Sequence, residues 1–163
     1  LVHHVLDGWT VSGIAQFVTG FPTGMSFSTT DGANLNGGGD AQRMNACGDA
    51  YSGSIHKFSQ WFNTAAFCRP GSNDPGNLGK YTVRNPGVNN VDTSLTKNFK
   101  VKSDARYFSL RWEAYNTFNH TQYSSINTAA RFQPNGQQVN ALFGTVVATR
   151  APRVMQGSLR FTF

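Results

Sequence analysis

Glutamate is nearly absent from this chain: Glu113 is the only one in 163 residues, and charged residues together make up 13%. Surface helices lean on Glu, Lys and Ala, so the composition disfavours a helical protein. No run approaches the ~18 consecutive apolar residues of a membrane-spanning helix, which excludes a helical membrane protein and says little against a barrel, whose strands alternate. Histidine occurs only as His3, His4, His56 and His120, with no i,i+4 pair and no carboxylate at ligand spacing. There is no nucleophile elbow and no glycine loop opening a helix. The expectation is therefore no catalytic residue, no metal site, no cofactor and no enzymatic activity. Cysteine is limited to Cys47 and Cys68, both in Gly/Asn/Pro-rich sequence. A bridge between them would imply an oxidising compartment, close a loop of about 20 residues and contribute roughly 3 kcal/mol; two free thiols are the alternative.

What is abundant is glycine (17) and phenylalanine (13), a profile that suits an all-β protein with aromatic belts. Residues 154–163 alternate: Met155, Leu159, Phe161 and Phe163 share one face and Gln156, Ser158, Arg160 and Thr162 the other, the two-residue period of a strand wetted on one side. Trp9, Val11, Ala15 and Phe17 begin a first strand with the same pattern, extended over 9–29 through the bend at Gly20-Phe21-Pro22. Val91, Leu95, Phe99 and Val101 mark a second over 91–101. Phe108, Leu110, Trp112, Ala114 and Phe118 mark a third over 105–118. Ser103-Asp104 makes a tight turn between these two, and Lys97 is the one charge on their apolar side, expected to snorkel to the periplasmic edge.

Between these strands the pattern collapses. Residues 30–90 hold Gly37-Gly38-Gly39 and Pro70, Pro75 and Pro86, and 119–150 form a second long connection. Such lengths argue against a compact soluble domain and suit external loops of a barrel. Strands of ten to thirteen residues fit a ~25 Å apolar band crossed at ~40° with ~3.4 Å per residue. Net charge is +6, with basic residues spread along the chain and concentrated at Lys97, Lys100, Lys102 and Arg106 beside the turn. A solvated turn explains these, and no nucleic-acid partner is expected.

Two longer runs carry a resemblance. Asn90-Val91-Asp92-Thr93-Ser94-Leu95-Thr96-Lys97-Asn98-Phe99 and Leu110-Arg111-Trp112-Glu113-Ala114-Tyr115-Asn116-Thr117-Phe118-Asn119-His120 resemble the C-terminal barrel of TonB-dependent receptors of the Oar-like type, which carry a carboxypeptidase-regulatory-like domain at the N-terminus. Gly8 to Ile14, Thr19 to Pro22, Trp61 to Phe67, Arg84 to Gly87, Phe143 to Thr145 and Arg150 to Arg153 match the same pattern. The resemblance implies a cell outer-membrane location and a fold of about the last four strands of a transmembrane β-barrel, an antiparallel meander with two long extracellular loops. It implies a transport role for the parent receptor, in which this segment forms pore wall and surface loops. The implied partners are outer-membrane lipid, the barrel-assembly machinery, and the TonB complex through N-terminal regions not present here. Leu1 in place of Met is read as the start of a fragment. The terminal strand would run down to the periplasm, with the 103–104 turn on that side, and its Leu159, Phe161 and Phe163 would be the barrel-assembly signal.

Arg111, Glu113 and Arg160 would line the pore. Trp61 and Phe62, in the long loop, are the weak candidates for ligand contact, with pinning of the loop to the rim as the competing role. Asp31 to Asp40 resembles a calcium loop but puts Gly32 and Arg43 where ligands are needed, so it reads as a flexible surface loop. A secreted β-sandwich that binds glycans is the alternative to the receptor segment; it would have to bury the apolar faces under a second sheet.

Overall fold

The computed structural model describes residues 6–35, 42–53, 55–101 and 103–163, with backbone alone for 103–105. His3, His4, the Gly37–Gly39 run with Asp40, and Lys102 lie outside the described residues. In chain order the strands are β1 Trp9–Val18, β2 Pro22–Thr23, β3 Ser26–Thr29, β4 Asn45–Ala46, β5 Phe67–Cys68, β6 Val83–Arg84, β7 Val88–Val101, β8 Ser103–Tyr115, β9 Tyr123–Ile126, β10 Ala129–Phe132, β11 Val146–Thr149 and β12 Val154–Thr162. The protein is all-β, and the chain divides into two units: 1–18, 88–122 and 150–163 form one, and 19–87 with 123–149 form the other.

The first unit is a four-stranded antiparallel sheet in the order β1-β7-β8-β12. Directly paired residues in such a sheet point to the same side. The pairs Val11–Leu95, Leu95–Trp112, Leu110–Leu159 and Phe108–Phe161 therefore build one continuous apolar face. One residue along, Ser12, Ser94, Glu113 and Gln156 line up across all four strands on the opposite, polar face. The period read from each strand separately is thus held in register by the whole sheet.

At one end of the sheet Val101 of β7 lies opposite Ser103 of β8, so Ser103 and Asp104, expected to form the tight turn, are instead the first residues of β8. At the other end Val18 pairs with Val88 and Tyr115 with Val154, so both long excursions leave and re-enter there. The strand expected over 105–118 begins at Ser103 and stops at Tyr115. Asn116 and Asn119 take positive φ (+54° and +50°), the left-handed region that Asn tolerates and a strand cannot contain. The first strand likewise ends at Val18, not at 29. A Cβ at Gly20 would lie 1.5 Å from the Asn85 carbonyl oxygen, so the chain passes there only as glycine. Residues 19–29 belong to the second unit.

That second unit corrects the picture of patternless loops. It holds a core of its own, with Met44, Phe62, Phe67, Leu78 and Val83 from the first excursion and Ile126, Ala130, Phe132, Phe143 and Val146 from the second. Backbone pairing joins the two excursions: β3 runs parallel to β10, with Phe27 opposite Ala130. The Trp61 N–H donates to the Gly144 carbonyl at 2.7 Å and the Val146 N–H to that of Phe58 at 2.9 Å. Phe62 is fully buried, edge-on to Phe67 and Phe143 with centroids 5.4 and 5.3 Å away.

Beside this core β4 pairs with β5, and Cys47 and Cys68 are joined by a disulfide with Cα atoms 6.0 Å apart. The bridge spans 21 positions, so restricting the unfolded chain contributes roughly 3 kcal/mol. Replacing both cysteines by alanine is expected to lower the stability of this unit by about that amount, measured as faster amide exchange at Ala46 and Phe67. Equal exchange in the two forms would show that the β4–β5 pairing stands without the bridge.

Candidate functional site

The sheet's two faces differ in chemistry. On the apolar side Val11, Phe17 and Leu159 are 74%, 70% and 68% exposed, so no second sheet covers them among the described residues. A patch of this extent left open to water is unfavourable, at about 25 cal/mol per Å². Lys97 shares this face but does not reach out to water as its length allows. It is 2% exposed, its Nζ lies 4.9 Å from the Trp9 ring centroid and 5.5 Å from that of Phe99, and it donates to the Asp7 carbonyl. Two ring faces and a carbonyl thus replace the hydration of the ammonium group.

The polar side carries the groups expected to line a pore. Arg111 and Glu113, two apart on β8, form an ion pair at 2.5 Å, and Gln156 of β12 donates to the other oxygen of Glu113. The Ser12 and Ser94 hydroxyls bond across β1 and β7 at 2.8 Å. Asp92 accepts from the Asn90 amide and from the Asn116 backbone N–H, both at 2.8 Å. Together Ser12, Asp92, Ser94, Arg111, Glu113 and Tyr115 border a shallow hollow of about 410 Å³. Opposite charges sit side by side here, so the face is wettable without a strong field of either sign. Arg160 pairs with Ser109 on the same side, one same-face step along from the Ser158–Arg111 pair.

Leu159 and Phe161 lie on β12, an edge strand, and Phe163 follows its last residue. The Phe161 ring lies tilted against Phe108 with centroids 4.6 Å apart and stacks on Phe163 at 6.0 Å, with Phe163 almost wholly exposed.

Trp61 and Phe62 part company. Phe62 is the centre of the second unit's core and cannot contact a ligand, because every face of its ring is already covered by protein. Trp61 is half-buried. Its indole N–H donates to the Arg84 carbonyl at 2.9 Å, and its ring meets His56 at 5.0 Å and Tyr123 at 6.1 Å. Tyr51 lies 6.5 Å from His56, and Phe58 lies 6.1 Å from Tyr123. This run of rings was missed in the sequence. Tyr51, His56 and Phe58 flank Trp61 closely enough to have signalled it, whereas Tyr123 comes from the other excursion.

A polar network stiffens the β4 region. The Asn45 amide donates to Asp74 Oδ2 at 2.5 Å and the Gly76 N–H to Oδ1 at 2.9 Å. These two donors, the Asn45 amide first, hold the Asp74 carboxyl below its ordinary pKa. A carboxylate whose folded pKa is depressed adds stability above the unfolded value, about 3.9, and that stability is lost as pH falls through the folded pKa. Protection of Ala46 and Asn77 against exchange should therefore weaken on acidification below about pH 4, and Asp74→Asn should flatten that acid limb. An unchanged acid limb in the variant would assign the effect to another group.

A one-sided apolar meander, a minimal hairpin at one end, long excursions at the other and an uncovered apolar face define a segment of a membrane-spanning β-barrel wall. Comparison with known families agrees: the sequence profile of the outer membrane beta barrel domain matches residues 1–156, and the chain belongs to that family. Its place is the outer membrane. No curated protein and no solved structure matches the chain.

Proposed function

We propose that this segment is barrel wall and surface loop of a TonB-dependent receptor of the Oar-like type, with the polar face toward the pore and the second unit on the cell exterior. The observation that carries the reading is the connection pattern, a short connection between β7 and β8 at one end of the sheet and the departure and return of both long excursions at the other. The resemblance of residues 90–99 and 110–120 to such receptors supports the finer assignment. Four strands fall short of the ~8 that close the smallest barrels, so further strands would complete the wall.

In that setting outer-membrane lipid covers the apolar face, and the barrel-assembly machinery engages the edge strand at Leu159, Phe161 and Phe163. TonB acts through N-terminal sequence, pulling a plug to drive uptake, and this segment makes or breaks no bonds. A secreted glycan-binding sandwich is disfavoured because no second sheet covers the apolar face among the described residues.

Two measurements separate the levels of the proposal. The parent protein is expected to need detergent for solubility and to shift its gel mobility on heating; a freely soluble, heat-insensitive protein would sink the barrel. It is also expected to retain the purified periplasmic domain of TonB on a column. Failure there, with heat-modifiable mobility intact, would remove the TonB-dependent reading and leave the barrel standing.

A further inference from the structure

The second unit carries a run of neighbouring rings that extends from its core to its surface. The series runs Tyr51, His56, Trp61, Tyr123, Phe58, with successive centroids 6.5, 5.0, 6.1 and 6.1 Å apart. Trp61 and Tyr123 rest against the core, while Phe58 is 60% and Tyr51 44% exposed and His56 is exposed as well. Leaving such area in water forfeits burial energy that the same rings would gain under a ligand.

The backbone beneath them is locked. Lys57 and Gln60 exchange both N–H···O bonds, at 3.0 and 3.1 Å, so 57–60 is a tight turn with Phe58 at its tip. His56 is held at φ +61°, a left-handed conformation uncommon for a residue with a Cβ. Its N–H donates to the Trp61 carbonyl at 3.1 Å, and the Phe58 carbonyl and the Trp61 N–H are tied to 144–146. Rings on so constrained a loop lose little freedom when a ligand covers them.

We propose that this ring series is an oligosaccharide-binding surface. The C–H faces of pyranose rings pack on aromatic faces, and sugar hydroxyls find donors and acceptors in the Tyr51 and Tyr123 phenols and the His56 imidazole. Interplanar angles of 49–88° make the strip stepped, which suits a glycan whose successive sugars rotate and does not suit a flat stack of bases.

The inference rests on the second unit facing the cell exterior, but its test does not involve TonB. The intact parent protein in detergent is titrated calorimetrically with maltohexaose, cellohexaose and hexagalacturonate, alongside an unstructured hexapeptide. Binding of at least one saccharide is expected, weakened about 10-fold or more by Phe58→Ala or Tyr51→Ala and recovered in Phe58→Trp. Heat-modifiable mobility in each variant reports that the barrel has folded. No heat from any saccharide up to ~10 mM, saccharide binding indifferent to both alanine variants, or binding of the peptide alone would each overturn the proposal. None of those outcomes bears on TonB capture, so a failure here and a failure of the receptor reading are told apart.

Discussion

Leu95→Arg is expected to destabilise the protein in a phospholipid bilayer by about 2–4 kcal/mol, or ~30- to 1,000-fold in the folding equilibrium, whereas Ser94→Arg one residue away should change it by less than about 1 kcal/mol. Leu95 lies midway along β7 on the apolar face, with Val11 on one side and Trp112 on the other. With the apolar face against lipid, as proposed, a guanidinium there enters the hydrocarbon near its midplane, where the cost of a cation is greatest. Lys97, two residues on, escapes that cost because Trp9, Phe99 and the Asp7 carbonyl surround its ammonium group; an arginine at 95 has apolar cross-strand neighbours on both sides. Ser94 points the other way, beside Ser12 and opposite Glu113, so an arginine there meets a wet face and a carboxylate. The measurement is urea unfolding of the intact protein in vesicles. If both variants behave alike, the two faces do not see different solvents, and the assignment of the apolar face to lipid fails.

The second large effect belongs to the core of the other unit. Phe62→Ala is expected to cost about 3–5 kcal/mol, because the ring is fully buried and its neighbours are held by backbone pairing and a disulfide that limit collapse into the cavity. Hydrogen exchange should rise across 19–87 and 123–149 together, since the core draws on both excursions. Heat-modifiable mobility, a property of the barrel, should persist. Gly144→Ala tests the same contact from the other side. Gly144 sits at φ +84°, and a Cβ there would lie 2.5 Å from Thr64 Cγ2 and 3.6 Å from the Phe62 ring. If exchange rises only in the first excursion of Phe62→Ala, the two excursions are separate loops and not one body.

The candidate site was half legible. Arg111, Glu113 and Arg160 could be placed on the polar face from alternation alone, because a period of two decides which side a residue takes before its neighbours are known. Phe62 could not be distinguished from Trp61, its neighbour in sequence, without knowing that Phe143, about 80 positions later, would close over it. The ring series had the same obstacle: Tyr51, His56 and Phe58 are local, but Tyr123 arrives with the second excursion. The Lys97 environment was equally hidden, since Trp9 and Asp7 reach it only through the β1–β7 register.

Taken alone, the sequence determined that four long strands are present, which faces they have and that β7 and β8 are closely connected, though not the strand ends or the turn residues, because alternation over ten or so residues fixes a strand's faces but not where it stops. It also placed the long excursions between the right strands. Tertiary structure alone decided that those excursions are one body with a core, a β4–β5 pairing closed by Cys47–Cys68 and an exposed ring series. Strands of two to four residues offer no period to read, and the apolar side chains of that core come in ones and twos through polar sequence. They become neighbours only after backbone pairing such as β3 with β10 has brought positions about 100 residues apart into contact.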